Sequence, residues 1–362
     1  MSTKPASYAA SGVDTDREEE GMKRLGEWVT RSFGLRPGVG RPVLPLGHYA
    51  NVIALNDRLG LALSADGVGT KIFVAEMLDR YDTVGIDCVA MNVNDLICIG
   101  AEPLAMLDYI AVEAPHPRLL EELGKGLYRG CEMAQITIPG GEVAQVREMI
   151  RGVRDDWSFD LVGAAVGTVD LDRIITGRAC RPGDVVVGIA STGLHSNGFT
   201  LARRICFERS GLKVESVIPE LGGRLGDVLL TPTAIYVREI MAMLKAGLQV
   251  HGLVHVTSDG LTNLLRLEAE VGYDIDMLPD SHPIFGCLAT WGDVAPAEMF
   301  EVFNMGVGFC VVCAAGDANA VLEFARSDGK DAWFLGKVTD GPRAVYLRPV
   351  GLTGRGNHFG LA

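Results

Sequence analysis

An acidic residue followed by two glycines is the first candidate for chemistry in this sequence. Asp66 follows an apolar run, Leu59–Ala65, whose length and composition predict a strand. Gly67 and Gly69 come next, and they allow the backbone to turn tightly and to approach a ligand closely. The pair Thr70–Lys71 then opens a predicted helix. The segment therefore predicts a ligand-binding turn that begins with a carboxylate.

A second group of polar side chains lies on the predicted helix Gly85–Gly100. At helical periodicity Asp87 and Asn94 share one face, and Asp95 lies about a quarter-turn away. The opposite face is apolar and consists of Ile86, Val89, Val93, Leu96 and Ile97. Carboxylates grouped without Lys or Arg suit Mg²⁺, which takes few protein carboxylates and completes its shell with phosphate oxygens and water. A solvated helix face would have the same spacing, so spacing alone leaves both interpretations open.

Asp108 favours the interpretation of this region as a cation site over that of a solvated helix face. It stands in a run that is otherwise apolar and contains Leu104, Met106, Leu107 and Ile110. An acidic residue in the pattern of a buried strand needs a partner or a cation. The whole region Ser64–Val112 is therefore a candidate metal-dependent site.

A later segment combines a strand, a glycine-containing loop and a helix start. The predicted strand Val185–Ala190 runs into the loop Ser191–Gly198 and then into a helix. Free N–H groups at a helix start favour an anion. His195, Ser196 and Asn197 add side-chain donors, so the loop predicts phosphate binding. A helix cap formed by Ser196 or Asn197, beside an incidental histidine, is the alternative.

The same order of elements returns further along the chain. The predicted strand Val250–Val256 contains His255, and Thr257 and the turn Ser258–Gly260 follow it. Unlike the earlier loop, this one carries an acid, Asp259, which would repel a phosphate placed directly on it. We therefore expect Asp259 to cap its own helix.

The length and the breaks in the pattern predict the domain organisation. A chain of 362 residues should form about two domains, each with its own core. Glycines, a proline and acidic residues interrupt the pattern at Asp170–Gly183. We therefore expect an N-terminal domain at 1–172, a C-terminal domain at 173–349 and a flexible, glycine-bearing tail at 350–362.

Charge and hydropathy exclude several classes of partner. The formal net charge of −13 argues against a nucleic-acid backbone. No apolar run approaches the roughly 18 residues of a transmembrane helix. The N-terminus lacks an apolar core segment and turns acidic by Asp14, so no signal peptide is expected. Asp14 or Asp16 can cap a first helix, whose apolar stripe consists of Met22, Leu25, Val29 and Phe33.

The eight cysteines are scattered along the chain. Cys310 and Cys313 form a C-x-x-C in a short apolar run, but residues three apart on a strand point to opposite faces. We therefore expect buried, reduced cysteines rather than a redox or zinc pair. Such cysteines indicate a reducing compartment, most simply the cytosol.

Several strings resemble the phosphoribosylformylglycinamidine cyclo-ligase family, also called aminoimidazole ribonucleotide synthetase. They are D-G-V-G-T-K at 66–71, G-I-D-C-V-A-M-N-V-N-D-L at 85–96, G-A-E-P-L at 100–104, S-T-G-L-H-S-N-G at 191–198 and M-F-E-V-F-N-M-G-V-G-F at 299–309. The resemblance covers roughly residues 7–345. It departs at Val143, where the family has Thr after Gly-Gly-Glu, and at Ser258 and Asp259, which replace two glycines.

The resemblance implies a fold and an assembly. It implies an α/β protein with an N-terminal α/β domain whose strands form a barrel across a homodimer. The C-terminal α/β domain would place helices on a mixed sheet, and the N-terminal domain would bind ATP and Mg²⁺. Composition and periodicity alone indicate only a generic α/β architecture.

The resemblance also implies an ATP-dependent ligase of purine biosynthesis, which closes formylglycinamidine ribonucleotide to aminoimidazole ribonucleotide and releases ADP and phosphate. The residues it implies are Asp66, Asp87 and Asp95 for Mg²⁺; Gly67, Gly69, Thr70, Lys71 and Asn94 for ATP and its phosphates; Glu142, His195, Ser196, Asn197 and Thr257 for the substrate; and His195 and His255 for catalysis. We expect His255 to face the reacting amide and the His195 loop to hold a phosphate. The expected partners are a small phosphorylated substrate and a second copy of the chain, not a nucleic acid or a membrane.

Two other interpretations remain open. Another ATP-dependent member of the superfamily, such as a thiamine-phosphate kinase or a selenophosphate synthetase, would share these motifs. The N-terminal glycine-bearing loop contains no cysteine, which weighs against the second of these. A non-catalytic nucleotide-binding maturation or scaffold protein is the other alternative, motivated by the departures at Val143, Ser258 and Asp259.

Overall fold

The computed structural model describes residues 6–8, 11–12 and 15–361. Asp14 and the side chain of Asp16, the two predicted caps of the first helix, lie outside these residues. The described chain forms two α/β halves, each built on its own sheet, so the predicted mixed α/β architecture is confirmed.

The N-terminal half consists of a five-stranded sheet and its helices. Its helices are α1 (Thr15–Val29), α2 (Ile72–Leu78), α3 (Val84–Cys98) and α4 (Pro117–Ala134). Its strands are β1 (Asn51–Ala54), β2 (Leu59–Gly67), β3 (Glu102–Val112), β4 (Thr137–Gln145) and β5 (Phe159–Asp170). The strand order is β1-β2-β5-β3-β4, and only the β3–β4 pair is parallel.

The two faces of this sheet differ in burial. Alternate residues of β5 are buried because α3 covers one face of the sheet, and α4 packs on α3. The other face is open, and it exposes the large apolar side chains of Leu63, Leu104, Leu107 and Tyr109. Within the described part of a single chain the sheet does not close into a barrel.

Helix α3 is the centre of the molecule. It packs on α4, on the N-terminal sheet and on two elements of the C-terminal half. Fourteen of its fifteen residues are buried, and only Asp95 is partly exposed. The close contact with α4 requires glycine at Gly85, because a Cβ there would lie within 3.0 Å of the Leu127 backbone nitrogen. The interpretation of Asp87 and Asn94 as a solvated face is therefore wrong.

The C-terminal half is a larger, mainly antiparallel sheet with helices. Its strands are β6 (Val185–Ala190), β7 (Val217–Ile218), β8 (Gly223–Arg224), β9 (Val250–His255), β10 (Gly272–Ile275), β11 (Val307–Cys313), β12 (Ala332–Thr339), β13 (Val345–Leu347), β14 (Leu352–Arg355) and β15 (His358–Leu361). Its helices are α5 (Phe199–Arg203), α6 (Leu225–Leu229), α7 (Val237–Lys245), α8 (Pro283–Gly292), α9 (Pro296–Val302) and α10 (Ala318–Arg326). Eight strands form one sheet in the order β15-β14-β13-β10-β12-β6-β11-β9. Strand β11 is buried throughout, and its Cys310 and Cys313 are buried free thiols, as the sequence predicted.

The C-terminal segment differs from the prediction. Residues 350–362 were expected to form a flexible tail, but β14 and β15 extend the large sheet as an antiparallel hairpin. The Phe359 N–H also donates a hydrogen bond of 2.6 Å to Glu301 Oε1. The glycines that indicated a loose end instead stand in paired strands and in the tight turn between them.

Helix α1 forms as expected, but its apolar stripe does not enter the core. Met22, Leu25 and Val29 are exposed, and Phe33 lies beyond the helix in the 3-10 turn Thr30–Leu35. In a single chain this helix therefore presents apolar side chains to solvent. Across the described residues, no helix combines the length and apolar character needed to cross a membrane.

Candidate active site at the junction of the two halves

Asp66, Asp95 and His255 come together where the two halves meet. Strand β2 ends beside Asp66, α3 presents Asp95 in its last turn, and β9 ends at His255. The His255 Nδ1 atom lies 3.0 Å from Asp95 Oδ1. Burial first, and the Asp95 carboxylate second, raise the pKa of Asp66 from 3.8 to about 6. The cluster therefore joins an imidazole and two mutually repelling carboxylates from three elements.

The main chain of His255 is held from both sides. Its N–H donates to Cys98 Sγ at 3.2 Å, and its carbonyl accepts a hydrogen bond of 2.8 Å from the Tyr49 hydroxyl. The ring is fully buried and stacks on Phe309 at 6.3 Å between centroids. Sequence reasoning missed Tyr49 because its partner lies 206 positions along the chain.

Lys71 and Asp87 form a buried ion pair. The Lys71 ammonium donates to Asp87 Oδ1 at 2.9 Å, to the His195 carbonyl at 2.9 Å and to the Thr231 carbonyl at 2.7 Å. A lysine has three N–H donors, so all of them are used inside the protein. Asp87 Oδ1 also accepts from the N–H and the hydroxyl of Thr233. In this arrangement the Lys71 ammonium has no free donor for a phosphate, whereas Asp87 Oδ2 has no partner among the described residues. The phosphate contact of Lys71 and the Mg²⁺ contact of Asp87 stay predictions.

Asn94 is also used by the protein itself. Its Oδ1 accepts a 3.0 Å hydrogen bond from the Tyr236 N–H, and its Nδ2 donates to the Ala234 carbonyl at 2.9 Å. The side chain is fully buried in this arrangement, and its binding of nucleotide stays a prediction. Asn92, which the sequence did not single out, instead braces the end of β2, because its amide bonds both the N–H and the carbonyl of Asp66.

The glycine-bearing turn after Asp66 lies against the C-terminal half. The Gly67 N–H donates to Asp66 Oδ1 at 2.7 Å, and Gly69 has φ +69°, in the region that favours glycine. Thr70 Oγ1 lies 3.1 Å from Thr200 Oγ1 at the start of α5. The turn is thus placed between the two halves, and its binding of ATP phosphates stays a prediction.

The loop after β6 holds His195 in an unusual conformation. His195 has φ +60°, which a residue with a side chain rarely adopts, and it is fully buried. Its Nε2 accepts a hydrogen bond of 3.1 Å from the Thr192 N–H, whereas Nδ1 has no partner among the described residues. Burial, helped by the positive charge of Lys71, lowers the pKa of this ring well below its usual range. The ring is therefore neutral, with a donor on Nδ1 that lacks an acceptor.

The two predicted loops touch each other. Ser258 Oγ donates to Asn197 Oδ1 at 3.2 Å, and Ser196 Oγ lies 3.0 Å from Thr233 Oγ1. The Thr257 N–H donates to Asn263 Oδ1 at 2.9 Å. The structure thus places His195, Ser196, Asn197 and Thr257 in adjoining loops beside His255, and their contact with substrate stays a prediction.

The expectation that Asp259 caps its own helix is wrong. Asp259 stands at the cap position of the 3-10 helix Gly260–Arg266, but its side chain makes no capping hydrogen bond. Its carbonyl instead accepts the Thr262 hydroxyl at 2.7 Å. The left-handed conformation of Asp259, φ +72°, differs from the extended conformation that a capping residue usually needs.

Glu142 is not brought to this cluster within one chain. It lies exposed on the edge strand β4, directly opposite Tyr109 on the open face of the sheet. Asp66 pairs with Gly163, which faces Asn92 and Cys88 of α3, and so it projects from the other face. The predicted contact of Glu142 with substrate therefore has no support from the fold of a single chain.

A divalent cation fits only part of the predicted ligand set. Among the described residues no group of three or more His, Cys, Asp or Glu side chains is arranged to hold a metal ion. Burial first, and the repulsion from Asp95 second, nevertheless raise the pKa of Asp66, and a cation between the two carboxylates would offset both effects. Asp108 stands about 10 Å from Asp66, two strand spacings across the sheet. The donors thus fit an ion that draws its other ligands from phosphate and water.

A separate cleft of about 490 Å³ lies at the other end of the same elements. It is lined by Leu59 at the start of β2 and by Val250 at the start of β9, whereas Asp66 and His255 end those strands. The rise of a strand separates the two ends of β9 by about 17 Å. The cleft shares none of the candidate site residues.

Family models match both halves of the chain. The model for the AIR synthase related protein, N-terminal domain, matches residues 47–169, and that for the C-terminal domain matches residues 181–347. A curated phosphoribosylformylglycinamidine cyclo-ligase from Methanothermobacter thermautotrophicus is 45% identical over 94% of this chain and 96% of its own length. Further curated relatives at 42–43% identity carry the same name.

Solved structures share the fold at low identity. The crystal structure of tt0281 from Thermus thermophilus has a TM-score of 0.59 and 22% identity, over 88% of this chain and 94% of that one. The hydrogenase maturation protein HypE in complex with ATP has a TM-score of 0.56 and 18% identity, over 79% of this chain and 80% of that one. The family models and the named relatives agree: the chain belongs to the phosphoribosylformylglycinamidine cyclo-ligase family.

Proposed function

We propose that this chain closes the imidazole ring of formylglycinamidine ribonucleotide with the help of ATP. The products are aminoimidazole ribonucleotide, ADP and phosphate, and the step belongs to de novo purine biosynthesis. The chain is accordingly a ligase that forms a C–N bond. The observation that carries this proposal is the similarity to curated cyclo-ligases along nearly the whole chain.

The chemistry requires an oxygen atom to leave. An amide oxygen is a poor leaving group, and transfer of the γ-phosphoryl group to it turns it into phosphate. The amidine nitrogen can then attack the same carbon and close the ring. Phosphoryl transfer depends on positioning and charge neutralisation more than on covalent catalysis. A junction that assembles polar groups from both halves suits these demands.

In our proposal His255 faces the reacting amide and moves a proton. The Asp95 carboxylate accepts the Nδ1–H of the neutral ring at 3.0 Å, which leaves the lone pair of Nε2 available as a base. Asn94 Nδ2 lies 3.5 Å from Nε2, too far for a strong competing hydrogen bond. The ring can thus take a proton from the amidine nitrogen as the ring closes.

The His195 loop is the proposed binding site for a substrate oxygen or phosphate. Because Nε2 accepts the Thr192 N–H, the proton of the neutral ring sits on Nδ1, which can donate to an anionic oxygen. Ser196, Asn197 and Thr257 stand in the adjoining loops and complete the proposed contact. The loop Ser191–Gly198 carries no acid that would repel the phosphate.

We propose ATP and Mg²⁺ as the cofactors. Asp66 and Asp95 would hold the ion, and the turn with Gly67, Gly69 and Thr70 would face the phosphates. When bound, Mg²⁺ would neutralise phosphate oxygens and the repulsion between the two carboxylates. A fold neighbour solved in complex with ATP supports the nucleotide, although its likeness to this chain is one of fold.

A homodimer in the cytoplasm completes the proposal. The open sheet face exposes Leu104, Leu107 and Tyr109, and a second copy would cover these side chains and close the sheet into a barrel. Dimerisation would also bring Glu142, which lies on that same face, toward the second copy of the chain. Free cysteines in the described chain fit a reducing compartment such as the cytoplasm.

The test is release of ADP by the purified chain with and without formylglycinamidine ribonucleotide. We expect ADP release to require that substrate and to match the formation of aminoimidazole ribonucleotide mole for mole. Thiamine phosphate is the control substrate, because a thiamine-phosphate kinase is the alternative enzyme. ADP release with thiamine phosphate, or at the same rate with no substrate, would overturn the proposal.

A further inference from the structure

The buried ammonium of Lys71 joins the N-terminal half to the loop that carries His195. Lys71 ends the 3-10 turn Gly69–Lys71 directly after the Asp66 turn, and its side chain is fully buried. Two of its three acceptors, the carbonyls of His195 and Thr231, belong to the C-terminal half. The third, Asp87 Oδ1, belongs to α3 and supplies the balancing charge.

The His195 loop is tied down at alternate carbonyls. His282 Nε2 lies 2.9 Å from the Ser191 carbonyl, and Asn304 Nδ2 donates to the Gly193 carbonyl at 2.8 Å. Lys71 binds the third carbonyl of this series, that of His195 itself. Of these three donors only Lys71 comes from the N-terminal half. It acts at His195, the non-glycine residue of this loop that has a positive φ, a conformation that costs free energy in a residue with a side chain.

The conformation of this residue decides where the imidazole points. With this left-handed backbone, the Nε2 atom accepts a hydrogen bond from the Thr192 N–H of its own loop. Nδ1–H then remains buried with no acceptor among the described residues. Gly308 leaves room for this placement, because a Cβ there would collide with the ring carbon Cε1 of His195.

We propose that Lys71 is a positioning residue: its ammonium holds the His195 carbonyl so that the Nδ1–H of His195 stays aimed at the substrate. Lys71 does not touch the ligand. Its ammonium binds Asp87 of the N-terminal half and the His195 carbonyl of the C-terminal half. The packing of the two halves is therefore coupled to the orientation of the His195 Nδ1–H donor. The kinetic part of this inference rests on the proposed function, whereas the geometric part does not.

Lysine differs from arginine and methionine in the number and direction of its hydrogen-bond donors. The three donors of an ammonium radiate from one nitrogen and match three acceptors, whereas the planar guanidinium of arginine cannot point donors in these directions. Lys71→Met keeps the length of the side chain and removes every donor. Lys330→Met is the matched control, because Lys330 also pairs with a buried acid, Glu239 Oε1 at 2.9 Å, but does not bond to the His195 loop.

The kinetic test is a double-mutant cycle with Lys71→Met and His195→Ala. We expect each variant to raise the KM for formylglycinamidine ribonucleotide about tenfold or more, and the double variant to match His195→Ala. Lys330→Met should leave that KM unchanged. A purely structural role would reduce the active fraction and the apparent kcat at constant KM. That outcome, or effects that multiply in the double variant, would overturn the proposal.

A second measurement does not depend on activity. In the wild type, nitrogen NMR of isotope-labelled histidine should show His195 with its proton on Nδ1, the signal being assigned by its loss in His195→Ala. In folded Lys71→Met, or in Lys71→Gln where the first variant does not fold, we expect that signal to move toward an average of the two tautomers. An unchanged signal would refute the positioning role. A shifted signal without substrate-dependent ADP release would refute the proposed function alone.

Discussion

The carboxyl group of Asp66 shows what one residue contributes to chemistry and to stability. Burial and the neighbouring Asp95 raise its pKa to about 6, so at pH 7 the folded protein holds a charge that it disfavours. A carboxyl with a higher pKa in the folded chain binds its proton more tightly there. Its ionisation therefore lowers stability as the pH rises from about 4 to about 6.

We predict that Asp66→Asn abolishes Mg²⁺-dependent turnover and stabilises the metal-free fold. At pH 7 the free energy of unfolding should rise by roughly 1–3 kcal/mol, because the uncompensated charge is gone. In the wild type at subsaturating Mg²⁺, turnover should fall as the pH drops below about 6, because the proton on Asp66 then competes with the ion for the same oxygen. Urea unfolding with a chelator and steady-state kinetics check the two effects, and exposed Asp57→Asn is the control. Wild-type activity at saturating Mg²⁺ would remove Asp66 from the metal site.

Substitutions of His255 and His195 should change different kinetic constants. His255→Ala should lower kcat by about 10²–10⁴-fold, the range for loss of a general acid or base, with little change in substrate KM. Asp95→Asn should abolish Mg²⁺-dependent turnover with the fold intact, because it removes both a proposed ligand of the ion and the acceptor for His255 Nδ1. His195→Ala should mainly raise the substrate KM. A crystal soaked in sulfate that shows the anion at Asp259 and none near His195 would contradict this division.

At the scale of elements, the contact between α3 and α4 is the most sensitive. Gly85 packs against the backbone of Leu127, and backbone atoms cannot move aside as a flexible side chain can. We predict that Gly85→Ala destabilises the protein by about 1–3 kcal/mol or more, because it overpacks the junction. Gly124→Ala is the matched control, since a Cβ at this exposed position of α4 meets nothing within 4 Å. The control should gain a few tenths of a kcal/mol to about 1 kcal/mol in helix propensity. Equal urea midpoints for both variants would contradict the prediction.

At the scale of the whole molecule, we expect a second copy of the chain to cover the open face of the N-terminal sheet. The exposed fraction of Leu107 is 52% and that of Tyr109 is 45%, which is unusual for neighbouring large side chains in the middle of a strand. We predict a homodimer that Leu107→Glu dissociates, because a charge would be buried in the closed barrel. Light scattering at micromolar concentration measures the mass. Val217→Glu, on an exposed strand of the C-terminal half, should leave it unchanged, and a monomeric wild type would refute the dimer.

The sequence by itself determined the local parts of this protein. The strand before Asp66, the helix that carries Asp87, Asn94 and Asp95, and the strand before His255 follow from periodicity and turn residues. These signals depend on neighbours along the chain, so one sequence suffices to read them. The long matching strings likewise predicted the family, and the similarity to curated cyclo-ligases confirmed it.

Only the tertiary structure decided which partners each of these polar groups has within the protein. Asp87 and Asn94 are bonded by Thr233 and Tyr236, which lie 146 and 142 positions away, whereas Asp95 meets His255 across 160 positions. Helical spacing treats the three side chains alike, because it contains no information on distant partners. The chemistry of a buried polar group is set by what removes it from water and what it bonds there, and those contacts exist only once the two halves have packed together.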